Sequence, residues 1–150
     1  IAAGTGVLLN NHMSAFATAD LKPYTRYSST MTPTILLRKD GALWAAFGTP
    51  GASTIPSTVV QVVMNLVDFK MSLRDAVEFP RLHFGGESSG VAAEPAAMVF
   101  DVASKLKLMG HKLNPHYRSQ GDVNAILIEE GTGWKQGWAD GRRGGVVRGY

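Results

Sequence analysis

Cysteine is absent from the 150 residues, which excludes disulfide frameworks, thiolate zinc sites and a cysteine nucleophile, and leaves the redox compartment open. Also absent is any run approaching the roughly 20 apolar residues that a membrane-spanning helix needs. The most apolar window, Val59 to Val67, is interrupted by Gln61 and Asn65, so no membrane span is expected in this chain. Concentrated charge is missing too. The net charge is +3, but the basic residues are scattered apart from Arg142-Arg143, so solvated surface charge explains them and no nucleic-acid partner is expected. The four histidines, at 12, 83, 111 and 116, include no HExxH or comparable pair at metal-ligand spacing, and no metal or other cofactor is expected. There is no G-x-S-x-G elbow, and "GTGVLLNN" lacks the lysine and Ser/Thr of a phosphate loop. The first residue is Ile1, with no signal-peptide pattern after it, so the N-terminus reads as a cut or processing point.

What is present is enough chain for one compact domain with a sizeable core, 45% hydrophobic and 18% charged. "GVLLNN" at 6–11 predicts a short buried strand ending in turn-forming asparagines, with a polar loop over 14–25. "TILLRK" at 34–39 and "ALWAAF" at 42–47 flank Asp40-Gly41, a dipeptide that tolerates positive φ at both central positions of a tight turn. They predict a β-hairpin whose nearly unbroken apolar runs are covered on both faces. Pro56 then opens a helix with Val59, Val60, Val63, Met64 and Val67 as its buried stripe. Ser72 and Asp75 form a capping box for a short helix that must finish before Pro80. A third helix is predicted with Pro95 at its start, Phe100, Ala103 and Leu106 along one side, and Gly110 just past its end. "VNAILIE" at 123–129 and "WKQGWAD" at 134–140 predict a second hairpin around "EGTG"; the glycine-rich tail is either extended along a sheet edge or loose. This order argues for a layered α+β domain with antiparallel sheet and helices on its faces.

The segment with chemical promise is "GTPGAS", 48–53. Small residues at Gly51 and Ala52 let the backbone approach a ligand, and a helix starting just after them aims their N–H groups outward. That is either an ordinary strand-to-helix turn or the donor pair of an oxyanion hole. The hydroxyls of "YSSTMT", 27–32, read alone as a solvated turn.

Taken in order, "GTGVLLNN" with "MSAF", "SSTMTPTILLRKDG", "FGTPGAS", "VVQVVMNLVDF", "DAVEFPRLH", "LMGHKL" and "ADGRRGGVVRGY" resemble the small subunit of the γ-glutamyltransferase (γ-glutamyltranspeptidase) family over essentially the whole chain. The resemblance implies an N-terminal-nucleophile hydrolase, an αββα four-layer sandwich of which these residues are the C-terminal part of the small, catalytic subunit. It implies a precursor that cleaves itself, leaving a large-subunit partner and a small subunit whose first residue is a threonine nucleophile. Its own α-amino group, with an unperturbed pKa of about 8, can serve as base. In the family that threonine lies a few tens of residues before the "GTG" region, so it is expected outside this sequence, and Thr5 does not replace it.

The resemblance carries the oxyanion role to the amides of Gly51 and Ala52, where alanine stands for the family's second glycine. Its methyl is expected to limit the backbone there to negative φ. Ser29 and Thr30, aligned through Met31, match the two serines that bind the substrate α-carboxylate, with Ser28 as the alternative register; the hairpin is expected to bring them near Gly51 and Ala52. Ala15 departs from the pattern, standing where the family's aspartate pairs with the substrate α-ammonium. A buried ammonium without a partner costs several kcal/mol, so a substrate without an α-amino group is expected. His12 either hydrogen-bonds the substrate or packs, and His83 of "PRLH" is expected to be structural. The implied function is amide-bond hydrolysis of a small-molecule carboxylate such as oxamate or a glutaryl amide. The alternatives are a true γ-glutamyl hydrolase or transferase acting on glutathione, and a non-catalytic homologue serving in binding or assembly.

Overall fold

The computed structural model describes residues 3–8, 16, 22–114 and 119–149. The chain divides into two compact units, 1–30 and 31–150. In the first, the described residues carry no helix or strand. Phe16 and Tyr27 meet edge to face with ring centroids 5.3 Å apart, and the Thr25 amide closes a turn onto the Lys22 carbonyl at 3.1 Å. The strand predicted over 6–11 is not formed in its described part. Val7 and Leu8 are exposed, and the Val7 amide donates to the Thr5 hydroxyl at 3.2 Å, a local turn contact in place of a strand ladder.

In the second unit the described elements follow as β1 (Thr34–Leu37), β2 (Leu43–Gly48), α1 (Ile55–Val67), α2 (Leu73–Glu78), β3 (Leu82–Phe84), β4 (Val91–Ala93), α3 (Phe100–Leu108), β5 (Asn124–Ile128) and β6 (Lys135–Ala139). The sheet runs β1-β2-β5-β6, antiparallel throughout, and β3-β4 is a separate two-stranded ribbon. Both predicted hairpins are present. The first turns differently from expectation, for only Gly41 of its turn has positive φ. The Arg38 amide bonds to the Ala42 carbonyl at 2.8 Å, and the Asp40 carboxylate accepts from the Ala42 amide at 2.9 Å. A three-residue loop of this kind keeps the right-handed strand twist with a single left-handed residue.

Alternation along the strands decides what each sheet face holds. Ala45 and Phe47 of β2 and Ala125 of β5 point inward, onto Ile55, Val59, Val62 and Leu66 of α1 and Leu73, Ala76 and Val77 of α2. Burial of each large apolar side chain there contributes about 1.5–3 kcal/mol. Ile35, Leu37 and Ile126 point the other way and are 68, 61 and 53% exposed. The hairpin is therefore covered on one face by the chain's own helices, not on both. The tail runs along β6: Gly145 lies against Ala139, and a Cβ at Gly137 would come within 2.7 Å of a Val147 methyl.

Two helix predictions need correction. The buried stripe of α1 is Ile55, Val59, Val62 and Leu66; of the predicted stripe Val59 is buried and Val63 packs partly against the core, while Val60, Met64 and Val67 are exposed. The helix is apolar on more than one side, so spacing alone cannot choose the core face. Pro95 opens a separate 3-10 turn, Pro95–Ala97, and α3 begins at Phe100, which is exposed; α3 buries none of its residues. The Ser72 half of the capping box is formed: its hydroxyl accepts from the Asp75 amide at 3.1 Å, while the Asp75 carboxylate accepts from that same hydroxyl at 2.7 Å.

Candidate active site

Thr34 lies opposite Phe47, so the chain entering β1 and the chain leaving β2 share one end of the sheet. There β2 runs into a sharp turn. Gly51 has φ 148° and Ala52 φ 51°, followed by a 3-10 turn, Ala52–Thr54, that continues directly into α1. Position 51 requires glycine twice over: its φ is one that side chains avoid, and a Cβ would lie 2.6 Å from the Thr54 hydroxyl oxygen. Alanine at 52 does not limit the backbone to negative φ as expected. It occupies the left-handed region, at a cost of about 1–2 kcal/mol.

The surroundings over-determine this turn. The Gly51 carbonyl accepts from both the amide and the hydroxyl of Thr54, at 3.1 and 2.9 Å. Among the described residues, neither the Gly51 nor the Ala52 amide donates a hydrogen bond. Both residues face an open cleft of about 1200 Å³ whose walls include His83, Asn114, Gln120 and Arg143. Strain and undonated amides at the edge of a cleft are what a preorganised anion-binding turn needs.

His83 makes a structural contact beside the cleft. Its Nδ1 is 2.9 Å from the Ser57 hydroxyl, which is also 3.0 Å from the Thr54 carbonyl, so β3 is tied to the first turn of α1 beside the cleft.

Behind the cleft lies a buried ionic network. Arg81, 1% exposed, pairs with Asp140, 0% exposed, at 2.8 Å. Arg142 pairs with Asp140 at 3.0 Å and with Glu94 at 2.6 Å. Burial alone would push the Glu94 carboxyl up, but the Arg142 side chain and the amides of Gln120 and Arg81 hold it below its ordinary value. Asp140 is likewise lowered against the pull of burial, by the Val123 and Arg142 amides and the Arg81 charge. Burial and the Arg142 charge lower Arg81, whereas Glu94 and Asp140 raise Arg142 despite its burial.

The network grips the cleft wall. The Gln120 amide donates to Glu94 at 2.9 Å and its carbonyl accepts from Arg81 at 2.6 Å. Asp140 also caps the 3-10 turn Gly141–Arg143, accepting from the Arg142 amide at 3.0 Å. With Arg142 clamped, Arg143 is the one permanently charged side chain among the described residues lining the cleft. In the sequence Arg143 stands out only as half of a basic pair, and no local signal separates it from Arg142.

Of the residues singled out in the sequence, Gly51 and Ala52 are brought together on the cleft. Ser29 and Thr30 end the first unit, exposed and outside any helix or strand. His12 and Ala15 lie outside the described residues. Among the described residues, no three His, Asp or Glu side chains gather to hold a metal ion.

The sequence profile of the family described as Gamma-glutamyltranspeptidase matches residues 1–150. The glutathione hydrolase proenzyme of Bacillus subtilis (strain 168) is 36% identical over 149 residues, which are 96% of this chain and 25% of that protein. The acylase ACY 1 proenzyme of Pseudomonas sp. (strain V22) is 37% identical over 135 residues, 86% of this chain and 24% of that protein. The chain thus spans about a quarter of the length of the curated relatives it matches. Among solved structures, the gamma-glutamyltranspeptidase from Pseudomonas nitroreducens complexed with L-DON superposes with a TM-score of 0.84 at 29% identity, covering 100% of this chain and 85% of that one.

Proposed function

The chain belongs to the gamma-glutamyltranspeptidase family of N-terminal-nucleophile hydrolases, and from that premise we propose that it is the C-terminal part of the small, catalytic subunit of an amide-bond hydrolase. An N-terminal threonine outside these 150 residues attacks the substrate carbonyl, its proton passing to its own α-amino group. The carbonyl oxygen becomes an oxyanion held by the Gly51 and Ala52 amides. Collapse expels the amine, which leaves protonated, and water then hydrolyses the threonine ester. A large subunit from the same precursor completes the enzyme; the relatives are named as proenzymes.

The observation that carries this reading is the strained Gly51–Ala52 turn, with two undonated amides on the cleft. The substrate bears a carboxylate, recognised by the hydroxyls of Ser29 and Thr30 at the β1 entry, and Arg143 gives the cleft a fixed positive charge. Ala15 removes the carboxylate that would hold an α-ammonium, which favours a substrate without one, a short amido acid such as oxamate or a glutaryl amide. His12, three residues before Ala15 in the sequence, either hydrogen-bonds the substrate or packs. That one relative is an acylase is compatible with this. A second reading, γ-glutamyl hydrolysis of glutathione, is favoured by the 36% identity to a glutathione hydrolase proenzyme, and requires another residue to replace the aspartate.

Hydrolysis by the full-length, processed protein of a γ-glutamyl amide, its desamino glutaryl counterpart and oxamate tests both. Faster turnover of either desamino amide is expected. Preference for the γ-glutamyl amide moves the assignment to the second reading, and no turnover of any points to a non-catalytic homologue.

A further inference from the structure

We infer that the hydroxyls of Thr49 and Thr54 are the positioning groups of this turn, each directing one of the two amides by holding the carbonyl of the same peptide unit. The inference rests on the reading that the Gly51 and Ala52 amides receive the oxyanion. A trans peptide is a rigid plate whose C=O and N–H point in opposite directions, so a hydrogen bond to the carbonyl fixes the amide's aim. In the Pro50–Gly51 peptide, the Pro50 carbonyl accepts from the Thr49 hydroxyl at 2.8 Å, and the Gly51 N–H is the opposite end of the plate. In the Gly51–Ala52 peptide, the Gly51 carbonyl accepts from the Thr54 hydroxyl at 2.9 Å, and the Ala52 N–H is the opposite end.

The Thr49 hydroxyl is itself oriented. It accepts from the Asp122 amide at 2.8 Å, which leaves its single proton for the Pro50 carbonyl. Asp122 follows the Gln120–Gly121 segment that the ionic network grips, so the direction of one amide is set by buried charge through a hydroxyl. The glycines give a second, independent indication. A Cβ at Gly121 would lie 2.6 Å from the Thr49 hydroxyl oxygen, and a Cβ at Gly51 2.6 Å from that of Thr54. Two glycines keep open the two spaces these hydroxyls fill. In a turn whose residues already have unusual φ, a peptide plate flips with little motion of its neighbours; the Thr49 hydroxyl holds the first plate, and the Thr54 hydroxyl holds the second together with the Thr54 amide, which donates to the same Gly51 carbonyl at 3.1 Å.

The test is steady-state kinetics and thermal unfolding of the full-length, processed enzyme carrying Thr49→Val, Thr49→Ser, Thr54→Val, Thr54→Ser or Gly51→Ala. Valine keeps the shape and deletes the hydrogen bond. Each Val variant is expected to lose about 10- to 100-fold in kcat with KM within about twofold, because an oxyanion donor acts in the transition state. Serine is expected to restore kcat to within about threefold by returning the hydroxyl. A Val variant that accumulates unprocessed while its Ser counterpart is cleaved also supports the inference, because the two differ at this position in the hydroxyl and not in the fold. A lowered melting temperature with unchanged kcat, or Val and Ser variants equally impaired or equally unprocessed, overturns it. If Gly51→Ala abolishes turnover while both Val variants retain it, the oxyanion reading stands and this inference alone fails. If Gly51→Ala leaves kcat intact, both fall.

Discussion

The two sides of the cleft are built on opposite terms. On one, the Gly51–Ala52 turn holds an alanine at φ 51° and leaves two amides undonated. On the other, Arg81, Glu94, Asp140 and Arg142 bury four charges and bind each carboxylate oxygen to a backbone amide, a guanidinium or both. The strained side persists because the ionic side holds it. Gln120 is gripped by the network, Gly121 packs on Gly51 and Thr49, and the Asp122 amide reaches the Thr49 hydroxyl. Strain of a kcal/mol or two survives only where stronger interactions on every side leave no way to relax.

The hardest way to break this contrast is to remove a charge from the network. Asp140→Ala leaves the Arg81 guanidinium buried without its counter-ion, and the expected loss is about 3–5 kcal/mol by denaturant unfolding of the processed protein. A loss under about 1 kcal/mol would mean that the network does not support the cleft. Next comes the joint between the two sides. Gly121→Ala puts a methyl against the Thr49 hydroxyl at a φ of 79°, and should destabilise by about 2–4 kcal/mol while lowering kcat. A stability loss with no change in kcat would separate the two regions.

Acid sharpens the comparison further. The folded pKa values of Glu94 and Asp140 lie below their unfolded values, so their contribution is fully present above about pH 5 and is lost as pH falls through the depressed folded values. Each unit of depression is worth about 1.4 kcal/mol, and a melting-temperature scan should be flat near neutrality and drop below about pH 4. Glu94→Gln should make that acid limb shallower. The smallest effect belongs to the strained side: Ala52→Gly relieves the left-handed alanine but frees the unfolded chain, for a net gain of about 0.5 kcal/mol or less in thermal unfolding. A loss above about 1 kcal/mol would give the Ala52 methyl a packing role.

Elements with local causes were legible in the sequence. The Ser72 cap, the stop before Pro80, the Gly110 terminus and both hairpins depend on residues within a few positions of one another. The ribbon of β3 and β4 went unread, since its strands have three residues each and no alternation long enough to detect. Within the site, "GTPGAS" marked the position of the turn, because small residues before a helix limit what the backbone can do there. The partner of His83 and the role of Arg143 were hidden, since each depends on residues elsewhere in the chain: Ser57 for the one, the carboxylates that clamp Arg142 for the other.

By itself the sequence determined the kinds of element, their punctuation and the exclusion of thiolate chemistry, because caps, turns and residue inventories are properties of short segments. Tertiary structure alone decided which stripe of α1 is buried, which sheet face its helices close, and the sign of φ at Ala52. It also paired Arg81 with Asp140 and Arg142 with Glu94, across dozens of intervening residues. The physical reason is common to all of them. An apolar side chain, a charge or an alanine has only weak local preferences, and the contacts made by distant segments outweigh them by several kcal/mol.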